Sequence, residues 1–533
     1  MNAFKVKLIS LYNDFFNSIT KFPYGLGILT SYLKTHNVNV VLDDLFVKIK
    51  HNNEKFCFPS NRRIDLNMLA EEKKVIDYVC DYSHDKKIEH FAKQIIHLAS
   101  CEGYDLIGIS VMTYLQFLQA LLLSKKIKSI NNARVVLGGT FITIYGKELF
   151  AEFPSIDYMI VGDGQVPLLK LIEHLQGQIP IEEVPNLIYR DKGVIKVNPK
   201  KLFPIEDLPM PDFSDLHLDF YRLEWQDMIL PLPYQTSRGC TYRCSFCSHS
   251  LINPSLEFKS YSKIVRELKT MKELYQSNVF TFHDEAINCS YEHLDKLCDI
   301  FIEEKLNVTW GSDARPDNLD KKILHKMRKA GCTFLAFGIE SGSNRILKNM
   351  DKGFTIEQAS NVFSDLHRVG IRNEIFLIAG YPHEKEEDIC KTIEFIRNNS
   401  EYIDRFRSVS LSRVEYGTPL YNEPERFGIK NLKPILGDHT MNDRKWFAFD
   451  EINGFNWGEK VKQQKYFLKK VLRAEYKYIF SKKYRVSFIP FWLYLWLKER
   501  AHILYRGWFF QMLIRFFFKF CKKEVKNRRV LYY

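Results

Sequence analysis

The sequence predicts an α/β protein in which an N-terminal doubly wound parallel sheet is followed by a partial (βα)6 barrel and a helical, basic C-terminal segment. Three observations predict it. Solid hydrophobic strands alternate with helices through the first third of the chain; the same rhythm restarts near residue 230 after a proline-rich break; and the net positive charge belongs to the segment from Lys460 onward. At 533 residues the chain is too long for one compact domain. Hydrophobic residues at 46 % and charged residues at 26 % exclude a disordered chain.

Taken in order, MNAFKVKLISLYNDFF has no long apolar run and no small-residue cleavage site, so it reads as a first strand and predicts a cytosolic protein. Gly25–Lys34 reads as a helix, and NVNVVLDDL (Asn37–Leu45) as the next strand. Residues 50–75 look polar and irregular. Tyr104–Val111 is a nearly continuous apolar run, as expected of a strand buried on both faces. A helix over about Leu115–Ile130, the strand Ala133–Gly139, a short helix, the strand Ile156–Gly162 and a helix from near Val166 complete a domain over 1–200. Gly138–Gly139 and Gly162–Asp163–Gly164 fall at strand C-termini, where such sheets bind ligands, although glycines there could also simply turn the chain.

LFPIEDLPMPDFSDL (202–216) has three prolines and no periodicity, which marks a linker over 201–229. The barrel is expected over 230–435, with strands LPYQTSR, NVFTFHDE, NVTWGSDAR, TFLAFGIES, NEIFLIAG and RSVSLSRVEYG. Six βα units are too few for a closed eightfold barrel, and the chemistry should sit at the strands' C-terminal ends. Tyr416–Leu420 reads as a closing turn, and residues 436–533 as a helical, basic, aromatic-rich region.

Eleven cysteines, an odd number and mostly scattered, argue against a disulfide framework. Only Cys240, Cys244 and Cys247 are grouped, directly after the first barrel strand, with Gly239 allowing a tight exit. These spacings let one loop wrap three thiolates around one face of a [4Fe–4S] cluster and leave one iron open. A zinc ion completed by His249, or three inert buried cysteines, are the competing readings.

The pattern C-x3-C-x2-C, with aromatic Phe246 before the last cysteine and a partial barrel around it, resembles the signature of the radical S-adenosylmethionine (SAM) enzymes. The resemblance implies that Cys240, Cys244 and Cys247 hold the cluster and that its open iron binds SAM. One electron, from a donor such as flavodoxin or ferredoxin, then releases a 5′-deoxyadenosyl radical. Asp284 and Glu285 resemble the family's contact to the SAM ammonium, though an Asp before a helix is also a good N-cap. Gly338, Glu340 and Ser341 resemble the G-x-E-S-G element, whose Glu approaches the ribose hydroxyls; a carboxylate on so apolar a strand needs a partner. Gly380 matches the adenine-contact region. Arg315 could grip a carboxylate or phosphate, or pair with Asp313 or Asp317.

The domain before the barrel resembles the cobalamin-binding group of that family, through Pro23–Leu29 with Gly25, through Gly138–Gly139, and through Val161–Gln165 with Gly162 and Gly164. The resemblance covers about residues 1–430. It implies cobalamin between the sheet's C-terminal edge and the barrel mouth, and methyl transfer to a carbon or phosphorus centre. Cyclisation, epimerisation or bond formation, or a sensor without turnover, are the alternatives. The D-x-H-x-x-G motif of classical cobalamin domains is absent, since Asp81–His84 has one residue too many; contacts would come from backbone and apolar surface.

From Lys460 onward the chain has 20 Lys+Arg against 3 Asp+Glu, or +17, which leaves −4 for the rest. The runs FIPFWLYLWL and RGWFFQMLIRFFFKF are too short or too interrupted to span a bilayer. They fit a helix lying in the headgroup layer on the membrane's inner face, or aromatics packed on the barrel; no nucleic-acid motif accompanies them. Small-molecule, lipid and peptide substrates all remain compatible.

Overall fold

The computed structural model describes residues 4–11, 22–55, 64–222, 230–434 and 446–480. Its N-terminal sheet has seven strands in the order β2-β1-β3-β4-β5-β6-β7: β1 (Lys5–Ser10), β2 (Asn39–Asp44), β3 (Leu106–Ser110), β4 (Arg134–Gly138), β5 (Tyr158–Ile160), β6 (Leu187–Asp191) and β7 (Val194–Val197). The first five run parallel, and β6 and β7 extend the sheet as an antiparallel hairpin.

Alternate side chains feed two cores. Val6 and Leu8 pack with α1 (Tyr24–Thr35) and α7 (Gln165–Leu175). Ile107 and Ile109 pack with α3 (Glu72–Val79), α4 (Lys86–Ala99), α5 (Tyr114–Ile130) and α6 (Thr140–Phe150). Covering both faces is what a parallel sheet of continuous apolar strands demands.

The stretch read as irregular is instead largely helical: α2 (Leu45–Lys55), a 3₁₀ turn at Leu66–Ala70, and α3. Their mixed, charge-rich sequences blur the apolar face, which in α3 is Val75, Tyr78 and Val79 and falls short of a long apolar stripe. α4 did carry one, with Ile88, Phe91, Ala92 and Ile95 buried at helical spacing and Asp85 capping the amides of Lys87 and Ile88.

In the second sheet all strands are parallel, in the order β15-β14-β13-β12-β11-β8. They are β8 (Leu232–Tyr234), β11 (Val279–Phe282), β12 (Thr309–Ala314), β13 (Cys332–Glu340), β14 (Arg372–Ala379) and β15 (Arg405–Leu411). A two-stranded ribbon, β9 (Ser237–Arg238) with β10 (Glu257–Phe258), brackets a short helix α8 (His249–Ile252). The outer helices α9 (Tyr261–Leu274), α10 (Tyr291–Glu303), α11 (Lys321–Lys329), α13 (Ile356–Val369) and α14 (Glu386–Asn398), together with short α12 (Asn344–Asn349), link the strands. Ser290 and Asp320 cap α10 and α11, and a Thr355/Gln358 capping box opens α13.

The region after the barrel is not purely helical. β16 (Val414–Glu415), β17 (Ile429–Pro434) and β18 (Trp446–Glu451) form an antiparallel sheet that straddles residue 435, and the expected closing turn continues into helix α15 (Pro419–Asn422). Next, α16 (Trp457–Ala474) buries Phe467 and Val471 in the barrel core. The aromatic tail 484–533 and part of the linker, 223–229, lie outside the described residues. No described helix is long and apolar enough to cross a membrane.

Gly342 follows β13 at a point where α14 passes close. A Cβ there would stand 2.5 Å from Thr392 Cα, while the Gly342 amide donates to Thr392 Oγ1 at 2.9 Å. Gly342→Ala should therefore cost about 1–3 kcal/mol of overpacking, because backbone must move. A thermal melt that matches wild type would contradict this packing.

Candidate active site

Chemistry enters where β9 ends. Gly239 has φ +89°, and a Cβ there would collide with the Ser255 carbonyl oxygen, so only glycine turns the chain directly into Cys240. The cysteine loop is then fastened from three directions. Ser245 donates its amide to the Met350 carbonyl at 3.0 Å and pairs its hydroxyl with Tyr381 Oη at 2.7 Å, and its carbonyl accepts from the Leu420 amide at 3.0 Å.

The two acidic residues at the end of β11 act on the same stretch. The Asp284 carboxylate, 1 % exposed, accepts from the amides of Thr236 and Ser237 at 2.9 Å, from Ser237 Oγ at 2.6 Å and from the Thr236 hydroxyl. Burial pushes its pKa up to about 6 against those bonds. Glu285 accepts from the Gly239 amide at 3.0 Å and from Asn253 Nδ2 at 2.7 Å. Neither carboxylate caps α10; Ser290 does.

A cavity of about 530 Å³ brings together Cys240, Cys244, Phe246, Cys247, Asp284, Glu285, Arg315, Gly338 and Glu340. Among the described residues no three His, Cys, Asp or Glu side chains are grouped to hold a single metal ion. The three thiols instead share one cavity wall, a set of soft donors that suits a multi-iron cluster better than a lone zinc.

Cys289, which the spacing left among the scattered cysteines, places its Sγ 3.8 Å from Cys240 Sγ. That hydrogen bond, assisted by the Tyr242 backbone and by nearby Arg315, lowers the Cys240 thiol, whereas Cys289 is pushed up. Burial raises the Cys247 thiol to about 12. Arg315 is 5 % exposed and is an ion pair, as one of its two readings had it. Its Nε lies 2.9 Å from Asp317 Oδ1, its guanidinium stacks 3.4 Å over the Tyr242 ring, it donates to the Lys352 carbonyl, and Nη1 is 3.8 Å from Cys244 Sγ.

Glu340 sits at a β-bulge with φ +67°, a conformation a side-chain-bearing residue adopts at a cost of about 1–3 kcal/mol. Buried at 8 % exposure, its carboxyl is pushed up by desolvation and is partnered by Lys352 Nζ at 3.5 Å, a lysine that sequence patterning did not single out. Ser341 and Gly380 do not line the cavity. Ser341 Oγ accepts from the Ser343 amide at 3.2 Å. Gly380 lies under α16, where Gln464 Nε2 donates to its carbonyl at 3.2 Å, and its own amide donates to Glu384 at 2.5 Å.

A second cavity, about 640 Å³, opens between the C-terminal edge of the first sheet and the barrel mouth, and is lined by Gly25, Gly138, Gly139, Gly162 and Gly164. A Cβ on Gly25 would meet open space. Buried Gln165 Nε2 and Tyr24 Oη on this wall have no hydrogen-bond partner among the described residues. An apolar cavity with open glycine backbone and orphaned polar atoms fits a corrin ring fringed with amides. Arg238, from the barrel side, reaches Asp163 at 2.9 Å. The two cavities adjoin, sharing Phe22, His249, His283 and Glu285.

Comparison with known proteins finds counterparts of both domains. A family model described as the Radical SAM superfamily matches residues 234–396, and one described as a B12 binding domain matches 64–172. Over 352 residues the chain is 26 % identical to an uncharacterized methyltransferase of Pyrococcus horikoshii, covering 65 % of this chain and 73 % of that one. It is 28 % identical over 271 residues to the anaerobic magnesium-protoporphyrin IX monomethyl ester cyclase of Rubrivivax gelatinosus, covering 49 % of this chain and about half, 48 %, of the relative. The solved structure of OxsB, a cobalamin-dependent S-adenosylmethionine radical enzyme with aqua-cobalamin and S-adenosylmethionine bound, superposes with a TM-score of 0.65 at 18 % identity. It covers 98 % of this chain and 76 % of that chain, and so shares the fold.

Glu384, beneath Gly380, has one carboxylate oxygen without a partner among the described residues, and burial pushes its pKa up to about 7. It takes up a proton on folding, so the stability it confers is full below its ordinary value near 4.5 and is lost as pH rises through 7. Relative to Glu384→Gln, wild type should lose up to about 3 kcal/mol between pH 4.5 and 8. Parallel melting curves at the two pH values would refute this.

Proposed function

The chain belongs to the radical SAM enzymes that carry a cobalamin-binding domain, and on that premise we propose that it transfers a methyl group to an unactivated carbon or phosphorus centre of its substrate. The observation that carries this reading is the shared wall of the two cavities. An acceptor held against Phe22, His249, His283 and Glu285 faces both cofactor sites at once.

The enzyme uses a [4Fe–4S] cluster, SAM and cobalamin. Cys240, Cys244 and Cys247 would hold the cluster, Gly338 and Glu340 the SAM, and the five glycines with Gln165 the corrinoid. When bound, the cluster supplies an electron to SAM and the corrinoid carries the methyl group. The chain's own residues do the rest. Lys352 keeps Glu340 paired until a ribose can take its place. Phe280, Phe282, Phe334 and Phe376 line the barrel lumen with apolar surface and keep water from a reactive centre. Asp284 and Glu285 hold the backbone that leads into the cysteines, so that the thiolates are placed before the cluster arrives. Electrons come from a one-electron donor such as flavodoxin or ferredoxin.

Radical chemistry without methylation is the second reading, favoured by the likeness to a cyclase. Anaerobic incubation with methyl-labelled SAM, hydroxocobalamin and a reductant separates the two. We expect label to co-elute with the corrinoid. Release of 5′-deoxyadenosine with no label on the corrinoid would sink methyl transfer and leave the second reading.

A further inference from the structure

We propose that Cys289 is a positioning residue for the iron–sulfur cluster: its thiol donates an S–H···S hydrogen bond to the Cys240 ligand and raises the potential at which the cluster accepts an electron. The inference rests on Cys240 being a cluster ligand. The two sulfurs lie 3.8 Å apart, within hydrogen-bonding range for sulfur. A ligating cysteine is a thiolate and has no proton to give, so the proton in this contact belongs to Cys289.

The position of Cys289 is fixed on both sides. Asn288 Nδ2 donates to the carbonyls of Arg315 at 2.9 Å and Asp317 at 2.6 Å, and its Oδ1 accepts from the Arg315 amide at 3.0 Å. On the other side Ser290 Oγ accepts from the His293 amide at 3.2 Å as the cap of α10. The Cys289 amide itself donates to the Ala286 carbonyl at 3.1 Å. Neighbours so restrained hold the thiol against Cys240.

Reduction adds negative charge that spreads onto the ligand sulfurs. A donor aimed at one of them stabilises the reduced state, so the couple moves to higher potential. Arg315 approaches Cys244 in the same way, but it is also tied to Asp317, Tyr242 and Lys352, so removing it would disturb the fold. Among the described residues Cys289 makes no hydrogen bond to a side chain other than the one to Cys240, which makes its contribution separable.

The test uses the full-length chain and its Cys289→Ala and Cys289→Ser variants, each reconstituted anaerobically with iron and sulfide and without SAM. Iron per chain is measured, and the reduced cluster is followed by electron paramagnetic resonance during a potentiometric titration. Both variants should hold as much iron as wild type. In Cys289→Ala the ratio of reduced to oxidised cluster at a fixed potential should fall about three- to tenfold, a shift of roughly 30–60 mV for a one-electron couple. Cys289→Ser, which keeps a hydroxyl donor, should fall in between. An unchanged midpoint in Cys289→Ala overturns the proposal. So does a loss of iron in both variants, which would make Cys289 a ligand. A wild-type chain that takes up no cluster removes the ligand role of Cys240 itself, and that failure shows in the control before any variant is compared.

Discussion

The geometry of both cavities depends on where the Arg238 guanidinium goes. Only Gly239 separates it from Cys240, and at 7 % exposure it cannot be left to water. It reaches across to both carboxylate oxygens of Asp163, at 2.9 and 3.0 Å, and takes Glu257 at 3.1 Å and the Phe203 carbonyl as further partners. A buried charge that loses its counterion costs several kcal/mol, so this cluster fixes the distance between the two sheet edges more firmly than apolar contact could. The glycines flanking Asp163 can line a cavity because the residue between them is already engaged.

The acidic residues of the barrel mouth are used mainly as scaffold. Asp284 gathers four donors from two consecutive residues, and Glu285 ties the exit of that strand to Asn253. Such carboxylates trade desolvation for fixed geometry, a sound exchange where a loop must hold thiols that would otherwise repel once deprotonated. Glu340 is the exception. Its strained backbone and the 3.5 Å separation from Lys352 leave its carboxylate ready for a better partner.

Much of this could be read from the residues themselves. The parallel strands announced themselves as continuous apolar runs, and the cysteine triplet by its spacing, because both are local in sequence. Asn288 and Cys289, Lys352, and the Arg238–Asp163 pair were not legible, since each acquires meaning only when strands distant in sequence lie side by side. The β6–β7 hairpin was missed for another reason. Its turn takes positive φ at Lys192 and Gly193, and Lys at such a position gives a weak signal. The short helices α2 and α3 escaped notice because charged residues crowd their narrow apolar faces.

The chain leaving Cys247 does not return at once to the barrel: through His249, Ile252 and Asn253 it becomes a wall of the second cavity before pairing as β10. One excursion of backbone thus serves two chambers. Whatever stiffens the cysteine end of this excursion also stiffens the wall that it lends to the second chamber.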